Sequence, residues 1–288
     1  MRFGVIDIGS NSCRLKIEDW ANGEKTVCCE ALQTTRLMKG VAQTGELAAD
    51  TMEATLSALR NFQEKLTQYA VQACWIVATS AMREARNGAA FAKTIEQTLH
   101  IPVEIISGET EAALSYAGIR AALPHLKKPL MLDVGGGSSE FYCPGIVQLS
   151  IKMGAIRAAE ENLSSEKAQT ALAPLRPFQE ALADCTLVGC GGTITTLAAI
   201  FHQMKVYRKD IVQGTVLSRA QIQSIHNRLA SLSLEERRQV PGLQPTRAET
   251  IVPGTFWVLQ ILQFLEQDFM TVSDADLREG ILAQMAGQ

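Results

Sequence analysis

Short apolar runs that end in turn residues alternate along the chain with stretches of helical periodicity, and these two patterns place the elements. Residues 1–37 read as a strand meander. Val5, Ile6 and Ile8 form one run, Cys13, Leu15 and Ile17 alternate with Arg14, Lys16 and Glu18 in the next, and Asn22-Gly23 marks a hairpin turn between extended segments. Met52, Leu56, Leu59, Phe62 and Leu66 recur at helical spacing, which predicts a helix from near Ala48 to Tyr69. Residues 73–78 read as a buried strand, 91–99 as a helix and 102–106 as a further strand. A helix over residues 110–123 stops before Pro124, and Lys127-Lys128-Pro129 marks a hinge into the second half.

That half repeats the plan. Residues 130–134, 141–143 and 146–151 read as strands, and a polar, alanine-rich helical stretch follows. A strand at 186–188 then runs through Gly189-Cys190-Gly191-Gly192-Thr193 into a helix over 194–201, an arrangement that offers a helix N-terminus to an anion or a nucleoside. Helices account for most of the remainder. The alternation of strands and helices argues for an α/β class. A chain of 288 residues, 47% of them apolar, has material for two cores, so two domains around a cleft are expected, divided as 1–124 and 125–288 with the last helix packing back on the first domain.

One phrase occurs in both halves: Asp7-Ile8-Gly9-Ser10-Asn11-Ser12 and Asp133-Val134-Gly135-Gly136-Gly137-Ser138. Each follows an apolar strand and precedes another strand, so both units are hairpins. Glycine lets backbone N–H groups approach an anion without a Cβ in the way, and two such turns could grip a phosphate chain from opposite sides. The net charge of −3, with acidic and basic residues mixed, gives no global field toward nucleic acid or an anionic membrane, so an anionic ligand must be held locally. No apolar run approaches the roughly 20 residues of a membrane span. Seven cysteines, odd in number and without paired C-x-x-C spacing, in a chain with no leading apolar segment, point to a reducing cytoplasm and against a disulfide framework or a zinc site.

The two Asp-glycine phrases, together with Ala78-Thr79-Ser80-Ala81-Met82-Arg83, Ile105-Ile106-Ser107-Gly108-Glu109-Thr110-Glu111-Ala112 and Ser273-Asp274-Ala275-Asp276-Leu277-Arg278-Glu279-Gly280, resemble the exopolyphosphatase / guanosine pentaphosphate phosphohydrolase (Ppx/GppA) family from end to end. The resemblance implies two ribonuclease-H-like domains of the actin-like and sugar-kinase superfamily closing on phosphates. It also implies a metal-dependent hydrolase that removes the terminal phosphoryl group of linear polyphosphate, of guanosine pentaphosphate, or of both. The chain looks like the short, two-domain form of the family, and a homodimer is compatible with it.

Glu111 occupies the motif position of the family's catalytic glutamate. Ser107 is placed to cap the helix, which puts Glu111 in its first turn, where the dipole favours an ionised carboxylate. Asp7 and Asp133, at strand ends beside glycine turns, suit magnesium or manganese, since hard ions prefer carboxylate and water oxygens. Gly9, Ser10, Asn11 and Ser12 on one side, and Gly135, Gly136, Gly137 and Ser138 on the other, are the candidate phosphate cradles. Arg83 is a catalytic candidate, and Arg14 and Arg278 are phosphate-binding candidates, because a guanidinium suits bidentate phosphate contact. Gly191, Gly192 and Thr193 resemble the superfamily's nucleoside-side loop. Gln213-Gly214 stands where many relatives carry His-Gly, and none of the four histidines falls in a chemical motif. Two other functions remain open: an ATP-dependent phosphotransferase with a small acceptor in place of water, and an actin-like nucleotide-binding switch.

Overall fold

The computed structural model describes residues 1–21 and 24–287, so the turn expected at Asn22-Gly23 lies outside the described residues. Two sheets dominate. The first has the order β3-β2-β1-β4-β5, built from β1 (Arg2–Ile8), β2 (Ser12–Ala21), β3 (Glu24–Thr34), β4 (Ala73–Ala78) and β5 (Val103–Ile105). β1, β2 and β3 pair antiparallel, while β4 and β5 continue parallel to β1. The second has the order β10-β11-β9-β6-β7-β8, from β6 (Pro129–Val134), β7 (Ser139–Cys143), β8 (Val147–Ile151), β9 (Thr186–Cys190), β10 (Val216–Ser218) and β11 (Phe269–Val272). Here β6, β7 and β8 are the antiparallel meander, and β9 and β11 the parallel continuation. The halves therefore share one strand plan, a meander followed by parallel strands.

The helices of the first half are α1 (Val41–Thr44), α2 (Ala49–Gln68), α3 (Ser80–Glu84), α4 (Gly88–Leu99) and α5 (Gly108–Ala122). Those of the second half are α6 (Ala155–Glu160), α7 (Ser165–Leu172), α8 (Gln179–Leu182), α9 (Gly191–Phe201), α10 (Lys209–Val212), α11 (Arg219–Ser231), α12 (Leu234–Arg237), α13 (Ile251–Phe264) and α14 (Leu277–Met285). Apolar faces fix their packing. Leu56, Leu59, Phe62 and Leu66 of α2 join Ile6, Leu15 and Ile76 in one core, and Trp257 and Leu262 of α13 join Leu132, Phe141 and Leu197 in the other. Trp257 is fully buried, and its indole N–H donates to Ser139 Oγ at 2.9 Å, so the bulk comes without an unpaired donor.

Two helices tie the halves together. α5, from the first half, lies on β6, β7 and β8, whereas α14, the last helix, lies on α5 and β1. Leu277, Ile281 and Leu282 of α14 thereby fill an apolar cluster with Phe3, Val5, Val77, Ile106 and Leu114. The helices touch backbone to backbone at glycines: a Cβ on Gly280 would strike the carbonyl of Leu114, and one on Gly118 would come 3.1 Å from the backbone N of Gly280. Gly280→Ala is expected to lower stability by about 1–3 kcal/mol through overpacking, read as a lower midpoint in urea at unchanged slope.

Departures from the sequence reading have physical causes. α4 and α9 each begin three residues before the first apolar periodic position, so Gly191, Gly192 and Thr193 form the first turn of α9 and not a preceding loop. β10 and β11 are too short to show a period, and both lie in the stretch read as helical. β2 does not alternate between core and solvent: Lys16 is 5% and Glu18 1% exposed, because α14 brings Glu279 to Lys16 and covers the polar face. Among the described residues no helix is long and apolar enough to cross a membrane.

Candidate active site

The two Asp-glycine hairpins end at the same place. In each, the turn closes on itself, with Gly9 N donating to Ser12 O at 3.2 Å and Gly135 N to Ser138 O at 3.0 Å. In each, the turn carbonyls are taken by a neighbouring segment. Ser10 O and Asn11 O accept from the amides of Met38, Thr35 and Arg36, and Gly135 O and Gly136 O accept from Ala155, Ile156 and Arg157. With their carbonyls bound behind them, the amides of Ser10, Asn11 and Gly136 have no protein acceptor among the described residues, and these residues line one narrow cleft of about 70 Å³. Backbone N–H groups left without acceptors in such turns are the kind of group that binds anions. The turns also touch each other: a Cβ on Gly136 would stand 2.9 Å from Ser10 Cβ, which explains a glycine there.

Hairpin register sets the charges. Asp7 pairs across its ladder with Arg14, and Asp133 across its ladder with Glu140. Asp7, Asp133 and Glu111 line the cleft with Arg14, Asp276 and Arg247. Burial pushes Asp7 up to about 6, with Arg14 opposing the shift, and pushes Asp133 up to about 6, assisted by the neighbouring Asp276. Asp133 accepts a hydrogen bond from Ser115 Oγ at 3.3 Å, whereas Asp7 Oδ1 is buried with no partner among the described residues.

Glu111 sits in the first turn of α5, whose N-cap Ser107 accepts from Thr110 N at 3.1 Å, as the S-x-x-T spacing indicates. Its carboxyl is nevertheless held well above the ordinary glutamate range. Burial is the main cause, Glu140 adds to it, and Arg83 opposes both. The helix dipole expected to favour the ionised form is outweighed. Arg83 donates to Glu111 Oε2 at 3.1 Å and to Ile106 O at 2.8 Å, so it anchors Glu111 and does not line the cleft. Glu140, unnoticed in the sequence, lies behind this pair. It accepts from Ser138 Oγ at 2.7 Å and Ser150 Oγ at 2.8 Å, and burial together with Asp133 pushes it up to about 7.

The remaining sequence candidates divide. Gly9, Ser10, Asn11, Ser12, Arg14, Gly135, Gly136, Ser138, Gly192 and Thr193 line the cleft. Gly137 does not: it packs against Ser80 and Met38. Gly191 and Arg278 line a second, adjoining cavity of about 230 Å³, where Arg278 Nη2 is paired with Asp276 Oδ2 at 3.0 Å. Sequence reasoning also missed Arg247, which lies over Gly192 at the start of α9 and lines both cavities. Burial, and then the charge of Arg14, lower Arg247 to about 10. It has no motif and stands in a short turn before α13, so nothing in its neighbourhood signals it.

Comparison with known proteins fits this geometry. The family model described as the Ppx/GppA phosphatase family matches residues 17–288. The chain belongs to the Ppx/GppA phosphatase family. The match begins within β2, after the first Asp-glycine turn, which the structure places in the cleft independently. Among relatives, Exopolyphosphatase 2 of Mycobacterium tuberculosis is 29% identical over 99% of this chain and 99% of its own. The bifunctional 3-dehydroquinate synthase/phosphatase of Fusobacterium nucleatum is 27% identical over 97% of this chain, which spans only 46% of that longer protein. Among solved structures, the Aquifex aeolicus PPX-GPPA enzyme aligns with a TM-score of 0.80 at 30% identity, covering 99% of both chains. An exopolyphosphatase from Cytophaga hutchinsonii aligns with a TM-score of 0.90 at 26% identity over 100% of this chain and 98% of its own. The Ppx/GppA chain accordingly has the actin-like, sugar-kinase-like two-domain fold that its duplicated strand plan follows.

Proposed function

We propose that the chain is a metal-dependent phosphoanhydride hydrolase, releasing terminal phosphate from linear polyphosphate, guanosine pentaphosphate, or both. One observation carries this: turn amides from two hairpins, free of protein acceptors, line one cleft together with a buried glutamate. Such a cleft binds phosphoryl oxygens through N–H groups fixed before the substrate arrives, which is the main source of rate enhancement in phosphoryl transfer. Glu111, held by Arg83, accepts the proton of the attacking water. Its raised affinity for protons, caused chiefly by burial, makes it a stronger base than an ordinary glutamate. Arg14 and Arg247 meet the charge of the transferred group and of the chain behind it.

The residues fit a divalent cation. Among the described residues no three His, Cys, Asp or Glu side chains form a metal cluster by themselves. Two carboxylates completed by water and substrate oxygens are the set magnesium usually takes, and Asp7 Oδ1 is a buried acceptor without a partner. Asp133 and Asp7 would hold magnesium or manganese there, and the ion would supply positive charge to the phosphoryl oxygens.

Proton competition makes a prediction. Below about 6 both aspartates hold protons, and the cation must displace them. Binding of magnesium, read as a rise in melting temperature without substrate, should weaken about tenfold per pH unit for each proton displaced as pH falls through that value. The sign for the metal-free protein is the reverse. A carboxyl at about 6 when folded and 3.8 in its ordinary state keeps its proton longer in the native form, so its contribution to stability is present below 3.8 and is lost as pH rises toward 6. Equal magnesium stabilisation at pH 5 and pH 8 would remove these aspartates from the metal site.

The identity of the reaction is tested by measuring phosphate release from polyphosphate, guanosine pentaphosphate and ATP in parallel. Release from either of the first two with little from ATP supports the hydrolase. Transfer to a small acceptor in place of release would support a phosphotransferase.

A narrow cleft and a net charge of −3 also bear on substrate length. In the adjoining cavity Arg278 and Lys209 are offset by Glu30, Asp274 and Asp276, so the terminal few phosphates supply most of the affinity. Limited digestion of long polyphosphate should therefore give a full spread of intermediate lengths. Untouched long chains beside fully degraded ones would contradict this.

A further inference from the structure

Asp276 caps the last helix, and its carboxylate also holds two arginines, Arg278 of that helix and Arg14 of β2. Oδ1 accepts from Arg278 N and Nε, each at 3.0 Å, while Oδ2 accepts from Arg278 Nη2 at 3.0 Å and from Arg14 Nη1 at 2.8 Å. Burial works to raise this carboxyl, but Arg278 and then Arg14 hold it far below the usual carboxylate range, so it stays charged. Arg14 makes no other side-chain hydrogen bond among the described residues, which leaves Nε and Nη2 uncommitted. Arg14, Asp276 and Arg247 line both the narrow cleft and the adjoining cavity, so this is where the two spaces meet. Arg247, without an acidic partner among the described residues, pushes on Arg14 by like charge.

We propose that Asp276 is the positioning residue for Arg14: it fixes one nitrogen of the fork so that the others stand ready at the junction, where the phosphate chain passes from the cleft to the adjoining cavity. This rests on the phosphohydrolase reading only for the identity of the anion. Mutual repulsion with Arg247 would swing a free Arg14 side chain away, and substrate binding would then have to order it again. Holding it beforehand removes that entropic cost. The partner comes from the N-terminus of a helix packed on β1, so α14 contributes to the site through Asp276 as well as through its packing.

The proposal gives a result opposite to simple electrostatics. Removing a negative charge beside an anion site should tighten anion binding if charge alone matters. Removing the group that positions Arg14 should weaken it. The test is a double-mutant cycle of Arg14→Gln and Asp276→Asn, with tripolyphosphate binding measured by calorimetry in the Glu111→Gln background, so that turnover does not interfere. Asparagine retains the helix cap, and a melting curve confirms folding.

Each single substitution should weaken binding about tenfold, and the pair no more than about tenfold, because both remove the same contact. In the active protein the same substitutions should raise KM more than they lower kcat. Tighter or unchanged binding in Asp276→Asn, or losses that multiply to about a hundredfold in the pair, would overturn the proposal. Arg14→Lys is a second check, since it retains the charge but not the fork: binding equal to the parent would overturn it as well. A protein that binds tripolyphosphate with this coupling, yet releases phosphate from no substrate, would leave the positioning intact and refute the hydrolase.

Discussion

Glu111→Gln should lower kcat by about 100-fold to 10,000-fold while leaving substrate binding within a few fold. The amide preserves shape and can still meet Arg83, but it cannot take a proton from water. Glutamine also removes a carboxyl that burial and Glu140 hold well above its ordinary range, so the folded protein gains no new buried charge and should melt no lower than the parent. The two outcomes together separate chemistry from folding. A variant that turns over at near wild-type rate would exclude Glu111 as the base, and one that loses binding in step with turnover would make it a binding group instead.

Asp133→Asn should have the second largest effect. It is expected to raise the magnesium needed for half-maximal activity by about tenfold or more and to lower activity at saturating metal, since the change removes both charge and a preferred ligand. Stability should move the other way. Above pH 6 the metal-free protein carries an ionised Asp133 that burial and Asp276 disfavour, and an amide relieves that repulsion. Melting of the metal-free variant at pH 8 should therefore occur above that of the parent, while added magnesium should stabilise it less. Full activity in excess chelator, or a metal-free melt below that of the parent, would contradict the role given to this carboxylate.

What the sequence made legible was local. Each Asp-glycine phrase sits between two runs of strand character, so the hairpins, their turns and the place of Asp7 and Asp133 at strand ends followed from neighbouring residues. Ser107 and Glu111 were readable because capping is a matter of three or four positions. Depth was not readable. The first turn of α5 favours an ionised Glu111, but the helix places the residue in the narrow cleft near Glu140, and desolvation outweighs a partial charge at a helix end.

Long-range partners were invisible for the same reason. Arg14 and Asp276 meet across 262 residues of chain, and only the packing of α14 on β1 brings them together. Lys16 looked like the polar side of an alternating strand until that helix supplied Glu279. Arg247 gave no local signal at all, because its importance comes from lying over Gly192. Glu140 was closer to reach. Asp133 faces it directly across the hairpin, so counting the register outward from the glycine turn would have found it.

The most direct test is phosphate release from polyphosphate and guanosine pentaphosphate, with magnesium present, by the parent protein and Glu111→Gln side by side. Release by the parent from at least one of the two, reduced by about 100-fold or more in the variant, is the expected result. No release from either substrate, or equal release by both proteins, would contradict a hydrolase built on this cleft.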